Sequence, residues 1–150
     1  MPSAKIDAAF WDTSAVALLC VHQAPSGRAR RLASQARRMV LWWSTTVEAR
    51  SSFRRLLREG ALTQDELVAA LHRLSVIHQQ ADEVLPTARV RNLAEDVLDR
   101  TPLRSADALQ LGAALAACKE RPRGRWFVCF DVRLARAAET VGFTVLPSPG

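Results

Sequence analysis

Short apolar segments alternate along this chain with longer segments in which apolar residues recur at helical spacing, and this alternation limits the possible folds more than any other feature. The apolar segments are "AAFWD" at 8–12, "MVLWWS" at 39–44, "DEVLP" at 82–86, "WFVCFD" at 126–131 and "FTVLP" at 143–147. In the clearest of them the apolar residues follow one another directly, which is typical of strands buried on both faces. The sequence therefore predicts an α/β fold of three layers, α/β/α, in which helices cover a central, mainly parallel sheet.

The helical segments between these strands have recognisable ends. A helical spacing through Leu32 and Ala36 predicts a helix that reaches the second strand, and Gly60 is expected to end the helix in "TTVEARSSFRRLLREG". Predicted N-terminal caps are Ser14, Thr45, Thr63 and Ser105, and two of these form predicted capping boxes, Thr45 with Glu48 and Thr63 with Glu66.

Length and composition favour one compact domain over residues 1–150. With 49% hydrophobic residues the chain can bury a core, and it contains no apolar run near the length of a membrane span. The N-terminal "MPSAKIDAAFWD" reaches an Asp too soon for a signal peptide, so we expect a cytoplasmic protein. Cys20, Cys118 and Cys129 are odd in number and lack a CxxC pair, which argues against a disulfide framework and a zinc site.

The chain is basic, and its basic residues are almost all arginine. The formal net charge is +6, and only Lys5 and Lys119 of the 21 basic residues are lysines. Arginine suits two-point contacts to phosphate, but such a composition equally reflects the base bias of a genome. Two interpretations also stay open for the helix that carries Arg50, Arg54, Arg55 and Arg58, namely a solvated surface and contacts to RNA phosphates.

Four acidic residues follow or begin the predicted elements at comparable places. Asp12 and Asp131 end apolar strands, Glu48 comes just after the second strand, and Asp107 lies in the first turn of the helix in "SADALQLGAAL". The carboxyl ends of parallel strands share one edge of a sheet, where the functional crevice of such folds lies. If the strands are neighbours, the four carboxylates are expected to converge on one pocket.

Each acid also has a purely structural interpretation. Asp131 and Asp12 can cap helices, Asp107 can be an ordinary first-turn acid, and Glu48 can complete the capping box of Thr45. What favours a site is the coincidence of all four. Two carboxylates about 6 Å apart repel by roughly 3 kcal/mol at an effective dielectric constant near 20, so a cluster needs a cation. Mg²⁺ or Mn²⁺ prefers oxygen ligands and is commonly shared with a substrate phosphate.

The same residues carry a resemblance to a known family. The segments "FWDTSAVALL", "TTVEARSSFRRL", "LRSADALQLGAAL" and "FVCFDVRLARAAETVGFTVL" resemble the four acidic motifs of the PIN-domain family, and most of all its VapC-type ribonuclease toxins, over residues 8 to 147. The resemblance implies a parallel sheet between helices, endonucleolytic cleavage of RNA, Mg²⁺ or Mn²⁺ as cofactor, frequent homodimers and a small cognate antitoxin. It also implies that Asp12, Glu48, Asp107 and Asp131 are the catalytic, metal-binding quartet.

The chain departs from the family pattern at several positions. Cys129 stands where relatives often have Thr or Ser, and Val132 and Arg133 stand where a further acid is sometimes found. Gln110 occupies a place where His is frequent, which is expected to change contacts around the metal ligands and not the ligands themselves. Arg104, close in sequence to Asp107, is a better candidate for phosphate contact than the Arg50 helix face.

Other interpretations of the sequence are weaker but distinct. A phosphoryl-transfer enzyme of the haloacid dehalogenase type also begins with a strand that ends in Asp, but it needs a second Asp where this chain has Ser14. A non-catalytic PIN-like module that binds RNA or protein is the alternative function. The three histidines lie in predicted helical segments without metal-ligand spacing, and we expect surface or packing roles for His22, His72 and His78.

Overall fold

The computed structural model describes residues 5–149, so the ends of the predicted domain, residues 1–4 and 150, lie outside the described residues. The strands are β1 (Ile6–Trp11), β2 (Ala36–Trp42), β3 (Asp82–Val84), β4 (Trp126–Val128) and β5 (Thr144–Leu146). The helices are α1 (Thr13–Cys20), α2 (Ser26–Ala33), α3 (Thr45–Arg58), α4 (Gln64–Gln80), α5 (Ala88–Arg100), α6 (Ser105–Ala117) and α7 (Val132–Thr140). Within residues 5–149 no helix is long and apolar enough to cross a membrane.

The five strands form one sheet in which every neighbouring pair is parallel, with the order β3-β2-β1-β4-β5. Strand β1 pairs with β2 on one side and with β4 on the other, where Phe10 lies opposite Phe127. From β1 the chain continues to β2 and then β3 on one side of the sheet. Strands β4 and β5 follow on the other side of β1. The boundary between β1 and β4 is therefore the topological switch point, outside which ligands bind in folds of this kind.

Helices cover both faces of the sheet, and each face has its own core. Phe10 packs toward α5, α6 and α7, where its ring stacks on Phe127 at a centroid distance of 5.3 Å. The next residue, Trp11, packs with Leu41 toward α1, α3 and α4. Successive side chains of a strand point to opposite faces, so both kinds of position must be apolar. This confirms the predicted three-layer α/β/α fold.

Helices α5 and α6 approach each other closely at Gly112. A Cβ atom at this position would lie 2.9 Å from the backbone nitrogen of Ala94 and 2.9 Å from the carbonyl oxygen of Val90, distances that real Cβ contacts do not show. The missing side chain thus lets the two helix backbones come together. Because Asp107 and Gln110 are on α6, this close packing also sets where their side chains lie.

Several predicted element boundaries are wrong, and two of them concern the sheet. Ala36 belongs to β2 and not to a helix, because α2 ends at Ala33 and residues from Ala36 onward pair with β1. The polar start of β2 is tolerated because Arg38 reaches solvent and bonds the carboxylates of Asp7 and Asp82. The last residues of "WFVCFD" leave the sheet, since the backbone N–H of Phe130 donates to the Ser14 hydroxyl at 2.9 Å.

Several predicted caps are also wrong, and the reason is the same at each. Helix α1 is capped by Asp12, whose Oδ1 accepts from the backbone nitrogen of Ala15, and Ser14 is already inside the helix. Thr45 and Ser105 are likewise the first residues of α3 and α6, so the predicted Thr45–Glu48 capping box does not form. The Thr63–Glu66 capping box of α4 is confirmed. Gly60 follows the end of α3 with φ 77°, as expected for a helix-ending glycine.

Candidate functional site

The four acidic residues lie at the carboxyl edge of the sheet, around the switch point between β1 and β4. Asp12 follows β1 directly, and its backbone N–H donates to the carbonyl oxygen of Val128 at 3.1 Å, which joins the ends of the two strands. Asp131 follows β4 by three residues. Glu48 and Asp107 lie in the first turns of α3 and α6.

Asp12 is a buried carboxylate whose ionisation is unfavourable in the absence of a cation. Its side chain is 3% exposed, and its Oδ1 accepts hydrogen bonds from the Ser14 hydroxyl at 2.7 Å and from the Ala15 backbone nitrogen at 3.2 Å. Burial raises the pKa of Asp12 to about 7, although these hydrogen bonds act to lower it.

Asp131 combines a capping role with an exposed position at the mouth of the site. Its Oδ1 accepts from the backbone nitrogen of Leu134 at 2.9 Å and so caps α7, as the structural interpretation of this residue predicts. The Cys129 thiol donates to the backbone carbonyl of Asp131 at 3.3 Å. Burial raises the pKa of that thiol, and the negative charges of Asp12 and Asp131 raise it further, so Cys129 is a neutral neighbour of both acids.

The negative charges of two other site residues act on Asp107. Burial raises the pKa of this half-buried carboxyl, and the charges of Asp131 and Glu48 raise it further. The guanidinium groups of Arg104 and Arg133 oppose these effects only in part. Asp107 therefore lies close enough to Asp131 and to Glu48 for their charges to act on it.

Glu48 is held by a set of hydroxyl and amide donors. Its Oε2 accepts from the Ser44 hydroxyl at 2.5 Å and lies 3.4 Å from the Gln110 amide nitrogen, while its Oε1 accepts from the Thr13 hydroxyl at 3.3 Å. These donors come from the segment before α3, from α6 and from α1. Glu48 thereby links α3 to α1, which follows Asp12, and to α6, which carries Asp107.

Gln110 lies at the centre of this polar network. Its side chain is 1% exposed, and its Nε2 lies 2.8 Å from the Thr13 hydroxyl and 3.1 Å from the Thr45 hydroxyl. Its Oε1 is a buried acceptor without a hydrogen-bond partner in the described part of the chain. An amide here supplies donors that do not titrate, so this hydrogen-bond support of Glu48 does not depend on the protonation state of residue 110.

The donor chemistry of the site fits a hard divalent cation. In the described residues none of the four carboxylates forms an ion pair, although other acids of the chain do. The side chains around the four carboxylates offer oxygen atoms as further metal ligands. No three His, Cys, Asp or Glu side chains between residues 5 and 149 converge closely enough to hold a metal ion as they stand. Mg²⁺ keeps several of its own waters, so a site for it needs only one or two direct carboxylate ligands.

Of the remaining candidates, the arginines near Asp107 lie beside the site and the others lie elsewhere. The four arginines of the α3 face are solvent-exposed, whereas Arg104 and Arg133 flank Asp107. His72 and His78 are exposed on α4, where His78 bonds Glu83 at 2.7 Å. His22 lies in the loop after α1, so the prediction that it belongs to a helix is wrong.

The hydroxyl residues of the site do not stand out in the sequence analysis. Thr13 and Ser14 follow Asp12 directly, and Ser44 and Thr45 follow the second strand, so their positions beside the acids are visible in "WDTS" and "WSTT". Serine and threonine are common at helix starts, which hides a role in orienting carboxylates. The four contribute hydrogen bonds to Asp12, Glu48 and Gln110.

A parallel sheet of this order between two helical layers is the fold of PIN-domain toxins, and solved structures of such toxins match this chain. VapC20 from Mycobacterium tuberculosis, a toxin that cleaves the sarcin-ricin loop, matches with a TM-score of 0.63 and 20% sequence identity, over 91% of this chain and 96% of that chain. FitAcB from Neisseria gonorrhoeae matches with a TM-score of 0.61 and 15% identity, over 91% and 95% of the two chains. No protein-family model and no curated protein matches the chain.

Proposed function

We propose that this protein is a metal-dependent endoribonuclease and the toxin of a toxin-antitoxin pair. The observation that carries the proposal is a set of unpaired carboxylates, Asp12, Glu48, Asp107 and Asp131, gathered at the switch point of a sheet whose fold is that of PIN-domain toxins. The name of VapC20 describes a toxin that cleaves an RNA loop, which supports RNA as the substrate class.

In this proposal the four acids hold Mg²⁺ or Mn²⁺ at the carboxyl edge of the sheet. The bound cation would supply Lewis acidity, which lowers the pKa of a water molecule and neutralises charge on a scissile phosphate. The protein's own residues have supporting roles. Ser14 orients Asp12, while Ser44, Thr13 and Gln110 orient Glu48.

The arginines beside Asp107 are suited to attract the substrate. Arg104 is the N-cap residue of α6 and Arg133 lies in the first turn of α7, and both side chains are exposed and close enough to Asp107 for their charges to act on it. Guanidinium groups bind phosphate oxygens in two-point contacts. Placed beside the acids, they would draw an RNA backbone toward carboxylates that would otherwise repel it.

The partners follow from the proposed class of toxin. We propose a small cognate antitoxin that places a basic side chain among the acids, since these carboxylates have no ion-pair partner among residues 5–149. A homodimer is proposed on the resemblance to the family, and sedimentation of the purified protein tests it.

A non-catalytic PIN-like module that binds RNA or protein is the second candidate function. Two observations favour it: Asp12 and Asp131 both cap helices, and no three acids between residues 5 and 149 close around a metal position. The two candidates differ in whether RNA is cut.

Cleavage of a labelled RNA by the purified protein distinguishes them. We expect cleavage that a chelator abolishes and that Mg²⁺ or Mn²⁺ restores. Asp107→Asn should lower the rate by at least about 100-fold, as expected for loss of an essential electrostatic group. The matched control Asp7→Asn removes an exposed acid at the other end of β1 and should keep the wild-type rate. Cleavage that persists after exhaustive chelation, or none with either metal, would reject the proposal.

A further inference from the structure

Trp43 is exposed at the edge of the sheet that carries the acids. Among residues 5–149 seven large apolar side chains are exposed, and Trp43, at 51%, is the only aromatic one. The other tryptophans, Trp11, Trp42 and Trp126, are buried or half-buried in the cores. An exposed indole does not contribute the stabilisation that burial of so large a side chain provides. This favours a role for Trp43 in binding another molecule.

The backbone fixes Trp43 next to the site. It is the first residue after β2, and its N–H donates to the carbonyl oxygen of Val84 at 3.0 Å, which ties it to the end of β3. The following residue, Ser44, bonds the Glu48 carboxylate. Adjacent Cα atoms are about 3.8 Å apart, so the Cα atom of Trp43 lies about that far from the Cα atom of Ser44, which contacts one of the four acids.

The surroundings of Trp43 indicate what kind of molecule it meets. Along the sheet edge, Trp43 follows β2, Asp12 follows β1 and Arg133 lies beyond β4, so that Asp12 lies between the strand end that leads to the aromatic residue and the one that leads to the arginine. Neighbouring strands are about 4.8 Å apart, which places the ends of β2 and β4 roughly 10 Å from each other. Arg104 adds a second positive charge beside Asp107.

We infer that Trp43 is a stacking platform for an unpaired base of single-stranded RNA, next to the phosphate that Arg133 and Arg104 attract. Proteins that hold single strands combine a basic groove with aromatic side chains on which bases stack. Bases in a duplex do not offer a free face, so the nucleotide that stacks on Trp43 is an unpaired one. This inference rests on the proposed function, and it specifies which part of the RNA the protein recognises.

RNA binding tests this inference when it is measured in the presence of a chelator, so that no cleavage occurs. With a short fluorescein-labelled single-stranded RNA, Trp43→Ala and Trp43→Leu should each raise Kd by on the order of 10-fold, whereas Trp43→Phe should stay near wild type. Leucine keeps an apolar side chain but has no π face, so it separates stacking from general apolar contact. Val68→Ala, an exposed apolar residue of α4, is the matched control and should bind as wild type.

Tryptophan emission provides a second measurement. Single-stranded RNA should quench the emission of the wild-type protein, and the quenching should be largely lost in Trp43→Phe, because the remaining tryptophans are buried or half-buried. A fully paired RNA hairpin should produce little quenching in either protein.

The outcomes separate this inference from the proposed function. If the wild type binds and cuts RNA and Trp43→Ala binds it equally well, the inference is wrong and the proposed function stands. If the wild type neither binds nor cuts RNA, both are wrong. If Trp43→Ala keeps its RNA affinity but loses self-association in sedimentation, Trp43 belongs to a protein interface, which also overturns the inference.

Discussion

Gln110 and Thr13 are 97 residues apart in the sequence, and a hydrogen bond of 2.8 Å joins the amide nitrogen of one to the hydroxyl oxygen of the other. The Thr13 hydroxyl has a single hydrogen, which it donates to Glu48 at 3.3 Å. The hydrogen bonds therefore run in one direction, from the buried amide through the hydroxyl to the carboxylate. This chain links α6, α1 and α3 at the centre of the site.

Replacing Gln110 by methionine should impair cleavage more than folding. Methionine has a similar volume but cannot donate, so Glu48 would lose part of its support. We expect cleavage to slow by roughly 10- to 100-fold, as is typical when partners of metal ligands are removed. The free energy of unfolding should fall by only about 1–2 kcal/mol, because the unpartnered Oε1 is removed as well.

The control for Gln110→Met is Leu115→Met, a volume-conserving change at a buried position of the same helix. It should keep the wild-type cleavage rate. A Gln110→Met protein that cleaves at the wild-type rate would show that the network does not support Glu48.

Asp12 should make the metal-free protein less stable as pH rises. Its pKa in the folded protein is about 7, above the ordinary value of 3.8, so between these limits the folded state binds more protons than the unfolded state. The free energy of unfolding then decreases as pH rises through this window and levels off above pH 7. Asp12→Asn is not ionised and keeps the oxygen that caps α1.

In chelator, Asp12→Asn should therefore gain stability relative to wild type between pH 5 and pH 8, by on the order of 3 kcal/mol. Denaturant unfolding at several pH values measures the difference. The matched control Asp7→Asn, which changes an exposed acid at the opposite end of β1, should follow the wild-type profile. Parallel profiles for wild type and Asp12→Asn would mean that burial does not hold the proton on Asp12.

Gly112→Ala should destabilise the fold and displace α6. The new methyl group would lie within 3 Å of the backbone of α5, which cannot move without separating the two helices. We expect a loss of about 1–3 kcal/mol, typical of overpacking a core. Gly27→Ala is the matched control, because this α2 glycine has space for a methyl group and alanine favours helix by roughly 1 kcal/mol. Equal melting temperatures for the two variants would contradict the account of the α5–α6 packing.

Overproduction of the protein alone should arrest growth if it is the toxin of a pair. The arrest should require the acids, so Asp107→Asn should relieve it while His72→Ala should not. Growth rate and soluble protein level, measured together after induction, test this. Normal growth at a high soluble level of wild type would favour the non-catalytic module.

The sequence predicts the fold well because its signal is local. Consecutive apolar residues such as Ala9, Phe10 and Trp11 can only be buried on both faces, which requires two helical layers. Helix boundaries are predicted less well, since serine and threonine cap helices or begin them with similar ease. Ser14 and Thr45 are predicted caps that instead lie within the first turn, where their hydroxyls bond Asp12 and Gln110.

The arrangement of the site depends on contacts that a sequence pattern does not contain. The order of the strands brings Asp12 and Asp131 to neighbouring strand ends, but how closely the four carboxylates approach depends on helix packing, as at Gly112. The role of Gln110 likewise depends on Thr13, Thr45 and Glu48 being assembled from distant segments. The family resemblance predicts that Gln110 affects contacts around the metal ligands, but a single glutamine in an apolar helix does not show which partners it bonds.

Direct binding of Mn²⁺ tests most simply whether the four acids form one cation site. Titration followed by electron paramagnetic resonance reports free Mn²⁺ without any need for RNA. We expect the wild type to bind Mn²⁺, Asp12→Asn and Asp107→Asn each to lose at least about 10-fold in affinity, and the exposed control Asp7→Asn to bind as wild type. Equal affinities in all four proteins, or no binding by the wild type, would contradict the account of this site.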